Sequence, residues 1–194
     1  MEIGKIVNAT SHIDYVCQVY ERNETERAPQ PKDYGFGTFV GIQQRDGGYL
    51  VGVIYNTTLL NPEFGNLGPH LSSEEDLEIF APDYLAEKVT LVAIVILGAV
   101  EPDGEATQGV PLVAARIDDP VRKLETEEVV GFHQSERGLR LGYLSTLTAM
   151  DHPLATPLIL QVVDTLSEFF PAESGRLSIL RNNLSWRSRV EPMG

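Results

Sequence analysis

Cysteine is almost absent from this chain of 194 residues: Cys17 stands alone. That excludes an intramolecular disulfide and any zinc site built on thiolates. Positive charge is also scarce. Lys and Arg number 15 against 28 Asp and Glu, giving a formal net charge of −13. A field of that sign repels phosphate backbones, so direct contact with DNA or RNA is not expected, whereas a basic protein surface would be tolerated. Long apolar runs are missing too. The longest, Val89 to Val100, has 12 residues, and a membrane helix needs about 20. Residues 1–15 include Glu2, Lys5, His12 and Asp14 and so form no apolar export signal. These absences together predict a cytoplasmic chain without membrane association.

Catalytic signatures are missing as well. There is no Gly-Lys-Ser/Thr phosphate loop, no Gly-x-Ser-x-Gly elbow and no His-Glu-x-x-His pair. Gly35, Gly37 and Gly41 look superficially like a dinucleotide fingerprint. The third glycine falls one residue late and a strand follows where a helix is needed, so these glycines read as structural. Of the four histidines, only His12 with Asp14 and His152 with Asp151 lie near a carboxylate in sequence, and each reads as a turn or cap residue. Asp118-Asp119 precedes Pro120 and reads as a turn in preference to a cation site. No catalytic, cofactor-binding or metal-binding residue is assigned, and no enzyme activity is expected.

What the chain does contain is β-structure. Ile3 to Ala9 and Asp14 to Tyr20 are predicted strands, with Tyr15, Cys17 and Val19 alternating toward one face. On that face Cys17 acts as a small buried hydrophobe. Residues 21–33 are charged and contain proline, which predicts a loop. Phe36 to Gln43 and Tyr49 to Tyr55 flank Arg45-Asp46-Gly47-Gly48, a hairpin signal in which Asp-Gly supplies the positive φ. Ser72 and Glu75 stand three apart and predict a capped helix near 72–87, interrupted by Pro82. Val89 to Val100 is rich in β-branched residues and predicts a central buried strand. A loop over 101–108 and a strand over Val110 to Arg116 are expected next, then a shorter, polar-alternating stretch from Val121 to Phe132.

Composition changes near residue 136. Leu158, Val162, Leu166 and Phe169 recur at helical spacing within Pro157 to Phe170, and Leu177, Leu180 and Leu184 do so within Leu177 to Val190. Neither helix can hide its apolar face alone, so both are expected to pack together and against the strands. The fold class is therefore mainly β with appended α. Residues 1–135 form a small closed β-barrel of about six strands with a helical insertion, and residues 136–194 a C-terminal helical extension.

The order of these elements resembles a known family. The N-terminal strand pair (Ile3 to Tyr20), the glycine-rich hairpin (Tyr34 to Thr58), the apolar strand (Val89 to Val100) and the Gly109-Val110-Pro111 segment resemble the HAS barrel. That barrel is shared by HerA-type DNA-translocating ATPases and the α and β subunits of the ATP synthase. Leu141-Gly142-Tyr143-Leu144 resembles the connector into the family's ATPase domain, but Arg176 to Asn183 stands where a strand and phosphate loop would follow. The resemblance implies a collar that packs subunits, and no ATP-binding residue carries over. The expectation is a non-catalytic module for protein–protein interaction or oligomer assembly, including the form of an accessory to a separate motor ATPase. A small-ligand binder or enzyme with a pocket at a barrel end, lined by loops 61–71 and 101–109, is the alternative. Candidate partner-binding residues are Arg181, Trp186, Arg187 and Arg189, a basic and aromatic tail on an acidic chain.

Overall fold

The computed structural model describes residues 1–22, 24–61, 89–136 and 138–190, the last five (186–190) as backbone only. The helix expected near 72–87 and all of loop 61–71 except Asn61 lie outside the described residues.

Strand β1 (Glu2–Ala9) pairs with β2 (Asp14–Val19) and, on its other edge, with β7 (Pro120–Lys123). Strand β7 continues to β3 (Phe39–Gln43), which forms the hairpin with β4 (Tyr49–Leu60). Strand β4 pairs with β5 (Val89–Val100), and β5 returns to β2 with Asp14 opposite Val95 and Cys17 opposite Val92. The ring β2-β1-β7-β3-β4-β5 is thus a closed antiparallel barrel, with β6 (Ala106–Gln108) added to the end of β5 as an extra strand. Strands β8 (Gln134–Ser135) and β9 (Gly138–Leu139) make a separate short ribbon. Among the described residues of the expected 21–33 loop, the one helical element is a 3-10 turn at Pro31–Asp33.

Closure leaves two faces to fill. Ile3, Ile6, Cys17, Ile42, Leu50 and Ile94 come from five strands and meet in one buried cluster, which fills the barrel with side chains. Burial pushes the Cys17 thiol up to about 12, so it is inert there. The alternate residues of the β4–β5 wall, Val51, Val53, Val95 and Leu97, are buried in a second cluster outside the barrel. Four helices cover that outer face: α1 (Thr126–His133), α2 (Leu144–Thr148), α3 (Ala155–Phe169) and α4 (Ser174–Val190). Leu158, Val162 and Leu166 of α3 and Leu177 of α4 are buried in the same cluster, with Leu180, Leu184 and Phe169 packed against it. The two predicted C-terminal helices therefore exist, with bounds shifted by a few residues.

Three sequence expectations change. Val110 to Arg116 is not a strand. Gly109 has φ 114 and turns the chain outward, Pro111 lacks an N–H for a ladder, and the place beside β1 is taken by β7. The expected 101–108 loop contains β6 at its end. The stretch from Val121 to Phe132 divides into β7 and helix α1, whose Glu125 N–H is capped by Glu128 Oε2 at 2.9 Å. Val129, Val130 and Gly131 have poor helix propensity, but packing of Val129 and Phe132 in the outer core overrides it.

Two glycines give opposite expectations. A Cβ on Gly4 would overlap the carbonyl oxygen of Gln18 on the paired strand, so Gly4→Ala should lower unfolding free energy by about 1–3 kcal/mol in urea titration. Gly131 lies in exposed helix with open space around it, so Gly131→Ala should raise stability by about 0.5–1 kcal/mol in the same measurement.

Candidate interaction surface

The segment from Gly109 to Asp119 crosses from β6 to β7 over the outside of the barrel. Its backbone is pinned along its length. Gly109 N–H donates to the Leu97 carbonyl at 2.8 Å, and Asp118 N–H donates to that of Ile6 at 2.8 Å. His12 Nε2 donates to the Pro111 carbonyl at 2.8 Å. Ala115 N–H donates to the Tyr15 hydroxyl at 3.1 Å, which itself donates to the His12 carbonyl at 3.1 Å. The Asp119 carboxylate, buried at 8% exposure, accepts Arg116 N–H at 2.7 Å. The expected Asp-Asp-Pro turn is thus present, with Asp118 at φ 66 and its carboxylate 3.3 Å from Lys5 Nζ.

The pins orient the side chains. Pro111 is buried, whereas Leu112 is 98% exposed and Val110, Val113 and Ile117 are each about 60% exposed. The bonded backbone holds these side chains toward solvent, which lowers the backbone ordering cost when something covers them. Arg116 is the only charged residue between 109 and 117.

Clefts among the described residues also indent the surface. One of about 320 Å³ lies between Phe36, Lys123, Gln161 and Phe169. A second of about 180 Å³ lies between the β1–β2 turn and the α2–α3 connection. A third of about 310 Å³ lies beside Ile117, Asp118 and Arg45. None of the three is lined by loop 101–109. Of the candidate tail residues, only the Arg181 side chain lies within the described residues. Arg181 Nε donates to Asp164 Oδ1 at 2.6 Å, joining α4 to α3 on the surface. Trp186, Arg187 and Arg189 stand on the last turns of α4, and their side chains lie outside the described residues.

Residues 1–193 match the family model described as Domain of unknown function (DUF8166). The chain belongs to that family. No curated protein matches it. Among the described residues of this DUF8166 member, no helix is long and apolar enough to cross a membrane, and no group of His, Cys, Asp and Glu could hold a metal ion.

The DUF8166 chain holds its helices to the barrel through a buried polar latch. His133 is fully buried, with Nδ1 donating to the Val129 carbonyl and Nε2 accepting from the Tyr143 hydroxyl, both at 2.7 Å. Gln108 on β6 donates to the Phe132 carbonyl at 3.1 Å and accepts Gly142 N–H at 2.7 Å. Arg140 donates to the Ala106 carbonyl at 3.0 Å. Nearby, Arg122 on β7 grips Glu128 of α1 in a bidentate pair at 2.6 and 2.7 Å and stacks over the Tyr49 ring. No local pattern announces the latch, because Gln108 and Arg140 bond to residues 24 to 34 positions away.

Burial, helped by the Arg140 charge, lowers the His133 imidazole to about 4. The unfolded chain, with histidine near 6.5, then binds a proton that the folded one refuses. Stability from this group is complete above about pH 6.5 and is lost as pH falls toward 4. His133→Gln keeps a donor and an acceptor but cannot titrate. Denaturation at pH 7 and pH 4.5 should show the variant losing roughly 2–3 kcal/mol less than the parent over that interval.

Proposed function

We propose that this chain is a non-catalytic interaction module that docks through the pinned loop 109–119, with a second copy of itself as the first partner. One observation carries the reading: large apolar side chains are held outward on a loop whose backbone is already fixed. Contiguous exposed apolar surface of this kind marks contact sites. Two copies of net charge −13 repel one another over most of their surface. They repel least where charge is thinnest, and 109–117 carries only Arg116. The barrel interior is filled by side chains, which weighs against the alternative of a pocket inside a barrel end. The resemblance to the HAS barrel, a collar that packs subunits, supports the same reading. It also favours a role beside a separately encoded motor ATPase, testable as a change in such a motor's ATP turnover when the chain is added.

Light scattering over a concentration series tests self-association. The parent chain should form an assembly of more than one copy. Added salt should strengthen it by screening like charge. Leu112→Asp with Val113→Asp should give a monomer with unchanged melting temperature, since neither side chain is buried in the fold. A parent chain that stays monomeric at every concentration and salt overturns the self-association.

A further inference from the structure

The cleft of about 180 Å³ has walls from two parts of the chain that meet only in the folded protein. Asp14 opens strand β2, and Tyr55 lies on β4. Asp151 and His152 follow helix α2. Tyr55 shares the outer face of β4 with Val51 and Val53 by strand alternation, and a register shift follows it, with Ile54 facing Ile94 and Asn56 facing Ala93.

The polar groups are fixed from behind. The Tyr55 hydroxyl donates to Asp14 Oδ1 at 2.9 Å. The other carboxylate oxygen of Asp14 takes no hydrogen bond from the described residues. The His152 ring stands edge-on to Tyr55, with centroids 5.1 Å apart. Its Nδ1 accepts Leu154 N–H at 3.1 Å, which leaves the ring's N–H on Nε2. Asp151 supplies a second carboxylate on the rim, and Ile13, Val95 and Met150 supply apolar wall. Two carboxylates with no lysine or arginine along the walls reject an anion.

We infer that this cleft binds a small organic cation bearing N–H donors, a primary ammonium group on a short apolar chain. The ammonium would donate to the open oxygen of Asp14 and to Asp151, and its alkyl part would lie against Met150 and Val95. This assignment is independent of the interaction loop.

Amide chemical shifts of the full chain, titrated with methylammonium chloride at constant ionic strength, test it. Tetramethylammonium, which has the charge but no N–H, is the comparison. The expected result is a saturable shift confined to residues 11–14, 55, 95 and 150–154, absent with tetramethylammonium. Asp14→Asn should weaken it about tenfold, a factor worth 1.4 kcal/mol. Tyr55→Phe, which removes the hydroxyl that holds Asp14, should weaken it less. Glu105→Gln, at an exposed site away from the cleft, should leave it unchanged. Non-saturating shifts spread over the acidic surface would overturn the assignment, as would equal response to tetramethylammonium or an unaffected Asp14→Asn. Should Asp14→Asn fail to fold, the tetramethylammonium comparison and Tyr55→Phe still decide the question.

Discussion

The β4–β5 wall is buried on both faces, and the rest of the molecule is arranged around that constraint. Leu50, Ile54, Ile94 and Ile96 point into the barrel, while Val51, Val53, Val95 and Leu97 point out of it. A strand wet on one side would alternate apolar with polar residues, but this wall cannot. Its outward residues would leave a broad apolar surface in water, at about 25 cal/mol per Å². Helices α3 and α4 cover that surface, so the barrel depends on the helices much as they depend on it. Gly98 makes the contact close. A side chain there would collide with the Thr107 carbonyl of β6 and meet the Phe132 ring of α1. The extra residue Leu97 in the β4–β5 register brings both Leu97 and Gly98 to the outer face.

Apolar contact alone would let the helices slide, since hydrophobic attraction has no direction. The latch supplies direction. His133, Tyr143, Gln108 and Arg140 tie the end of α1, strand β6 and the start of the helical extension through bonds with one geometry. Buried polar groups of this kind are costly when any partner is lost. The neutral state of His133 is part of the arrangement, because Nε2 must accept from Tyr143. A proton there would place a positive charge in an apolar site, at the cost of its desolvation.

Much of this architecture was legible in the sequence. The 12-residue apolar run at Val89 to Val100 is one strand, and Asp46-Gly47 is a hairpin turn, with Gly47 at φ 97. The leucine spacing of the last two helices faces the outer core as expected. Those signals are local: each states its own period or turn. Val110 to Arg116 shows where local signals mislead. Its composition suits a strand, but strand formation needs an open edge, and β1 has none left once β7 and β2 are paired. The pairing of Arg181 with Asp164 on the preceding helix is likewise set by how the two helices pack and not by any local pattern. Tyr55, Asp14 and His152 show no common motif, because their meeting depends on barrel closure and a helix junction that no spacing encodes.

One short turn connects both surface features of the molecule. His12 in the β1–β2 turn pins the apolar loop through Pro111, while its neighbours Ser11, Ile13 and Asp14 line the small acidic cleft. The turn is itself fixed, with Ile96 N–H donating to the Ile13 carbonyl at 2.8 Å and Thr10 N–H donating to that of Asp14 at 2.9 Å. Tyr15, directly after Asp14, reaches back to the His12 carbonyl and forward to the loop at Ala115. Strand periodicity explains this division. Asp14 and Tyr15 are consecutive, so their side chains leave β2 on opposite faces. Asp14 stands on the outer wall under the helices, and Tyr15 crosses the barrel interior to emerge beneath the loop. A two-residue step at the start of one strand therefore sets the chemistry of the cleft on one face and the posture of the loop on the other.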